Sequence, residues 1–248
     1  MKYTAIVSSD WNECLAPCGP FDPISFTYPD LEPELSDIFT KYTGNKISLA
    51  EATQEISRII PVPLTPDQMD AYLDSSFATY PGVPGLIEWC RRFGILFMIN
   101  TTGTQGYFQR VFAKNLMPDV PLVAANPMIR FWGAAEDRHY LYPVVEIEDK
   151  PKNTESIMRF LGIPPNRVII MGDSGGDGPH FKWGASIGAF LIGSMTKPSL
   201  DTYCRERGIT INKRFGLSYC SGEPRNRTAE SETNFMDLTE SLSAVLDL

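Results

Sequence analysis

Three short apolar runs in this chain each end on polar residues able to do chemistry, and that pattern constrains the fold most. Tyr3 to Val7 leads into Ser8-Ser9-Asp10, Ile95 to Asn100 into Thr101-Thr102-Gly103, and Val168 to Met171 into Gly172-Asp173. Runs that short and continuously apolar read as strands buried on both faces, as in parallel sheets. Leu122 to Ala125 and Ala189 to Ile192 read the same way, the latter as the last clear strand. Helical patterns lie between them. The alternation predicts an α/β chain: an open parallel sheet in a Rossmann-like, three-layer core. In such sheets ligands bind beyond the carboxyl ends of the strands. Asp10, Thr101 and Asp173 are therefore the first residues to weigh.

The helices have readable ends. Pro84 suits a first helical turn, Leu86, Ile87, Cys90 and Phe93 give its apolar face, and Gly94 stops it. Gly106 to Lys114 predicts a second core helix. Asn153 is the expected N-cap of a third, whose stop is Gly162 followed by Pro164. Pro179 opens a fourth. Glu34 to Phe77 reads as helical without a strand, broken at Gly44 and around Pro61, Pro63 and Pro66. Inside it, Ser48 and Glu51 fit a capping pair. This segment is expected to be a small helical accessory domain. Pro127 to Tyr142 reads as irregular, Ser221 to Asn234 as a polar surface loop or mobile segment, and Phe235 to Leu248 as a short helix.

Composition removes several classes. The net charge is −8 and no basic block stands out, which disfavours a nucleic-acid or anionic-membrane partner. No run approaches the roughly 20 apolar residues of a bilayer span. The start lacks a signal-peptide pattern, so a cytoplasmic protein is expected. Five irregularly spaced cysteines read as free thiols. Two histidines, His139 and His180, exclude a site built on several of them.

The strand ends carry the chemistry. Asp173 and Asp177 lie four residues apart in the glycine-rich loop Gly172-Asp173-Ser174-Gly175-Gly176-Asp177, a pattern that suits a hard cation with oxygen ligands. Lys150, before Pro151, is placed to enter the strand-end crevice and neutralise a phosphate or a carboxylate. Thr101 and the neighbouring backbone N–H groups of Thr102 and Gly103 can hold phosphate oxygens. Gly172 to Gly176 also fits the G-x-S-x-G elbow of serine hydrolases, with Ser174 as nucleophile. That fold wants its histidine well downstream, and the only later one here is His180.

Asp10, Thr101, Lys150-Pro151 and Gly172-Asp173 with Asp177, in this order, resemble the motifs of the haloacid dehalogenase superfamily of phosphohydrolases. The resemblance covers about residues 3–195. It implies a core of residues 1–15 and 81–248, with a helical cap at 16–80. It implies a magnesium-dependent phosphatase acting on a small phosphorylated metabolite through an aspartyl-phosphate. Asp10 would be the nucleophile. Thr101, Thr102, Gly103 and Lys150 would hold the phosphate, and Asp10, the Asn12 carbonyl, Asp173 and Asp177 the metal.

One position departs. The family's phosphatases usually carry a second aspartate, the acid–base, where this chain has Asn12. An amide cannot serve as a carboxylic acid. Three accounts stay open: slow catalysis, a substrate with a good leaving group, or a borrowed acid such as Glu13, Asp22 or Asp30. An alternative function is a phosphate-binding protein with impaired catalysis.

Overall fold

The computed structural model describes residues 2–43, 46–133 and 140–248. Among the described residues seven strands form one sheet: β1 (Ala5–Ser9), β2 (Ile95–Thr104), β3 (Leu122–Asn126), β4 (Tyr140–Pro143), β5 (Val168–Gly172), β6 (Phe190–Thr196) and β7 (Lys213–Ser218). Their order is β4-β3-β2-β1-β5-β6-β7, and every neighbouring pair is parallel. The predicted α/β, Rossmann-like architecture is borne out.

Period-two alternation explains the layers. Ala5 and Val7 of β1 enter one apolar cluster, with Ile169 and Met171 of β5. Ile6 enters the other, with Val168 and Ile170. Both faces are thus buried, as the continuous apolar runs require. The core helices are α5 (Val83–Arg92), α6 (Gln105–Ala113), α7 (Asp149–Leu161), α8 (Gly178–Ile187) and α9 (Pro198–Glu206). Two short C-terminal helices follow, α10 (Arg227–Glu230) and α11 (Leu238–Leu246).

Between β1 and α5 the described residues hold four helices and no strand of the sheet: α1 (Asp22–Thr27), α2 (Glu32–Thr43), α3 (Leu49–Ile59) and α4 (Pro66–Ser76). Ser48 and Glu51 form the expected capping box at α3. The break expected at Gly44 lies outside the described residues. Arg110 of α6 grips Asp70 of α4 through two nitrogens, at 2.8 and 2.7 Å, and Lys114 reaches Asp74 at 2.9 Å. These pairs fasten α4 to the core. Among the described residues no helix is long and apolar enough to cross a membrane.

Three local expectations need correction. Helix α7 begins at Asp149, not at a cap on Asn153. The Asp149 carboxylate accepts from the Val145 and Glu146 N–H groups and fixes the entry. Pro151 then falls in the first turn, where its missing N–H costs nothing. The irregular reading of Pro127 to Tyr142 missed β4, a short edge strand that begins at Tyr140 and pairs with β3; residues 134–139 lie outside the described residues. Ala189 to Ile192 is not the last strand, because β7 follows at the other edge. Its Lys-Arg-Phe-Gly-Leu-Ser sequence carries charges suited to an edge and lacks an apolar run.

Candidate active site

Strand β1 lies at the centre of the sheet, where the strand order reverses. Asp10 follows it directly, and its backbone N–H donates to the Met171 carbonyl of β5 at 3.0 Å. Asp10 is buried, and one carboxylate oxygen accepts from the Trp11 N–H at 2.7 Å. The strand-end rule thus delivers Asp10, Asp173 and Asp177 to one place: carboxylate oxygens of all three lie within 4.8 Å of one another.

Lys150, at the start of α7, reaches back under these strand ends. Its ammonium lies 3.1 Å from Asp10 Oδ2 and 2.6 Å from Asp177 Oδ1. Burial alone would favour loss of its proton, but Asp10 and Asp177 outweigh that and raise its pKa. The backbone beneath is polar: Asn100 Nδ2 donates to the Lys150 carbonyl at 2.8 Å. Asp177 folds back on its own loop, accepting from the Asp173 N–H at 3.0 Å and the Ser174 N–H at 3.3 Å. Gly172 is required there, since a Cβ would sit 2.5 Å from the Asp177 carboxyl carbon.

A second lysine mirrors the first. Lys197 follows β6, and its backbone N–H donates to the Asp173 carbonyl at 2.7 Å. Its ammonium contacts Asp173 Oδ2 at 2.9 Å and also pairs with Glu13. Arg225 Nη1 lies 3.4 Å from Glu13 Oε1 and 4.0 Å from Asp173 Oδ2. Glu13 stands in the left-handed region, φ 58°, which an L-residue adopts at a cost. Burial pushes the Asp173 carboxyl up to about 7 against the opposing charge of Lys197, and burial raises Asp177 against Lys150.

These residues line a cavity of about 480 Å³. Asp10, Glu13, Lys150, Asp173, Lys197 and Arg225 form its charged wall, and Phe39 and Tyr42 of α2 contribute apolar surface. Asn12 and Thr102 also face it. Thr101 does not: its hydroxyl is buried, donating to Asn12 Oδ1 at 3.1 Å and accepting from the Gly103 N–H at 3.2 Å. Alternation along β2 therefore puts the Thr102 side chain on the cavity, next to the Gly103 backbone. Asn12 Nδ2 donates to the Cys18 carbonyl at 3.3 Å. Of the acids considered as substitutes, Glu13 lines the cavity and Asp22 and Asp30 do not.

Other expectations separate here. Trp11 is fully buried and packs edge-on against Phe108. His180 lies in α8. It is buried, its Nε2 lies 3.0 Å from the Thr154 hydroxyl, and burial pushes its pKa well down. Ser174 opens the turn that follows it: its backbone carbonyl accepts from the Asp177 N–H at 2.9 Å, and its own N–H donates to Asp177 Oδ2 at 3.3 Å. The five cysteines are free thiols.

The largest surprise is the segment 221–234, read as a polar surface loop. It supplies Arg225 and contains Glu230, which is fully buried. Glu230 accepts from the Tyr80 hydroxyl at 2.7 Å and the Tyr219 hydroxyl at 2.5 Å, and it pairs with Arg225 at 2.7 Å. Lys197 had a usable signal, because it directly follows a buried strand, as Asp10 does. Arg225 had none, because its place depends on a loop returning across the cavity.

The donor set has the chemistry of a metal site. Asp10, Asp173 and Asp177 offer only oxygen, and Asp173 Oδ2 is buried without a hydrogen-bond partner. Around them, five carboxylates (Asp10, Glu13, Asp173, Asp177, Glu230) face three basic side chains (Lys150, Lys197, Arg225). An oxygen-only, electron-rich set with excess negative charge fits a hard divalent cation.

No protein-family model and no curated protein sequence matches the chain. Solved structures do. A substrate-bound phosphoserine phosphatase aligns with 97% of this chain and 99% of its own, at a TM-score of 0.68 and 14% identity. A haloacid dehalogenase family hydrolase from Salmonella enterica serovar Typhi aligns with 86% of this chain and 68% of its own, at 0.62 and 14%. A cytosolic 5'-nucleotidase bound to cytidine aligns with 98% and 86%, at 0.58 and 14%. The likeness is one of fold, which the chain shares with these phosphatases and hydrolases.

Proposed function

We propose that the chain is a magnesium-dependent phosphohydrolase acting on a small phosphorylated metabolite, with Asp10 as nucleophile. The observation that carries this reading is the Asp10 carboxylate at the end of β1. It faces a cavity, is held by Lys150 at 3.1 Å, and lies within 4.8 Å of Asp173 and Asp177. In this reading residues 16–80 are a cap that closes over the cavity and selects the substrate. The net charge of −8 and the free thiols favour a cytoplasmic protein without a nucleic-acid partner.

Asp10, the Asn12 carbonyl, Asp173 and Asp177 would hold the ion. When bound, magnesium would offset the repulsion between carboxylate and phosphate dianion. An Asp10 oxygen would then attack phosphorus in line, while the bond to the leaving oxygen breaks and its electrons depart with that oxygen. Water would cleave the resulting acyl phosphate, returning the Asp10 carboxylate and releasing inorganic phosphate. Lys150 would keep the Asp10 carboxylate aimed, and the Thr102 side chain, which lines the cavity, would hold a phosphoryl oxygen, whereas the Gly103 N–H is taken by Thr101.

The test is phosphate release from a panel of phosphorylated metabolites and one activated aryl phosphate, with magnesium and with chelator. Asp10→Asn is expected to abolish turnover, a loss of about 10³-fold or more, and chelation to do the same. Unchanged hydrolysis by Asp10→Asn overturns the assignment. A second reading, phosphate binding without turnover, is favoured by Asn12, whose amide is tied to Thr101 and Cys18. Binding of phosphate without release from any ester selects it.

A further inference from the structure

Three cations line the cavity among the described residues: Lys150, Lys197 and Arg225. They are not equally available. Lys150 is divided between Asp10 and Asp177, and its side chain is 1% exposed. Lys197 is 26% exposed and lies on the cavity wall. An ammonium has three donors. Glu13 takes one by hydrogen bond and Asp173 lies opposite as an ion-pair partner, so Lys197 keeps a donor for the cavity. A lysine on a flexible stem loses side-chain entropy when held in one place, and the structure contains what holds it.

That support is a chain of contacts running from the C-terminal segment to the cavity. Buried Glu230 receives the Tyr80 and Tyr219 hydroxyls and pins Arg225. Arg225 donates to the Glu13 carbonyl at 3.2 Å and faces its carboxylate at 3.4 Å. It thereby supports the left-handed backbone of Glu13, which presents its carboxylate to Lys197. Arg225 Nη1 itself is buried and makes no hydrogen bond. Salt bridges within a loop do not need to end at a cavity. This series does.

Resting on the phosphohydrolase reading, we infer that Lys197 contacts the substrate's phosphoryl group, and that Arg225, pinned by Glu230, positions Lys197 through Glu13. Lys197 is the substrate-touching member and Arg225 a positioning residue. Residues 219–230 are then part of the active site.

The experiment measures the affinity of inorganic phosphate by calorimetry with magnesium present, alongside KM, kcat and melting temperature. Lys197→Gln is expected to weaken phosphate and raise KM by about 10- to 100-fold, the worth of one charge-assisted hydrogen bond. Lys197→Arg keeps most of the affinity. Arg225→Gln acts in the same direction by a smaller factor, and Arg225→Lys restores part of it. The double variant Lys197→Gln/Arg225→Gln binds phosphate no worse than Lys197→Gln alone, because the second change acts through the first.

Wild-type phosphate affinity and KM in Lys197→Gln overturn the inference, as does a wild type that binds no phosphate. Multiplying losses in the double variant overturn the positioning role. If wild type binds phosphate but hydrolyses nothing, the hydrolase reading fails, and the affinity comparison still decides the role of Lys197.

Discussion

The site contains two lysines, each held between two carboxylates, and they are built differently. Lys150 sits between Asp10 and Asp177, all three buried to within a few per cent. Every member lies at a strand end, in the loop after one, or at the start of a helix. Lys197 sits between Glu13 and Asp173, in contact with the cavity, and depends on Arg225 from a loop near the C-terminus. The first clamp is dry and made by the sheet. The second is wetter and completed from outside it. Charge pairs in the two places should differ in energy, because water weakens a pair and also relieves a broken one.

The largest expected effect breaks the dry clamp. Lys150→Met leaves Asp10 and Asp177 buried, adjacent and without their cation. The expected loss is about 3–5 kcal/mol in chemical denaturation. Lys197→Met leaves Asp173 with Arg225 still 4.0 Å away and the cavity open to water. Its expected loss is about 1 kcal/mol. Equal losses would show that the two clamps are equivalent and that the contrast drawn from burial is wrong.

The same contrast explains what was legible in the sequence. Asp10, Asp173 and Asp177 were found because buried strands are continuous apolar runs and a sheet gathers their ends. Lys197 obeys that rule, but Gly193, Ser194 and Thr196 hide the end of β6, which runs to Thr196 rather than to Ile192. Ser194 is buried there because its hydroxyl donates to the Cys14 carbonyl, a tertiary bond no periodicity announces. Strand β7 was missed because an edge strand needs no apolar run. Arg225 and Glu230 were missed because polar residues in a glycine- and proline-containing stretch read as solvated. They are buried because they satisfy one another, and pairing across sequence is invisible to local patterns.

A pH series sharpens the comparison at the second clamp. Burial alone would raise the Glu230 carboxyl, but hydrogen bonds from Tyr219 and Tyr80 and the charge of Arg225 outweigh it and lower it. A carboxylate lowered in the folded state stabilises the fold above its unfolded pKa of 4.5. That contribution is lost as pH falls through the folded value. Glu230→Gln is expected to cost about 1–3 kcal/mol at neutral pH. The gap from wild type is expected to close as pH is lowered below 4.5. A gap independent of pH would mean that Glu230 contributes packing rather than charge.

The smallest effect concerns two adjacent threonines whose side chains point to opposite faces of β2. Thr101 ties Asn12 to the Gly103 backbone, away from the cavity, whereas Thr102 faces it. Thr101→Val removes a buried donor and acceptor together and is expected to cost about 1 kcal/mol of stability, with KM nearly unchanged. Thr102→Val is expected to leave the melting temperature within a degree or two and to raise KM several-fold, the worth of one neutral hydrogen bond. The split follows from the two-residue period of a strand, which assigns neighbours to opposite faces. The reverse pattern, Thr101→Val raising KM and Thr102→Val lowering stability, would place the phosphoryl group against the other face of β2. It would also require Asn12 to release Thr101 when substrate binds.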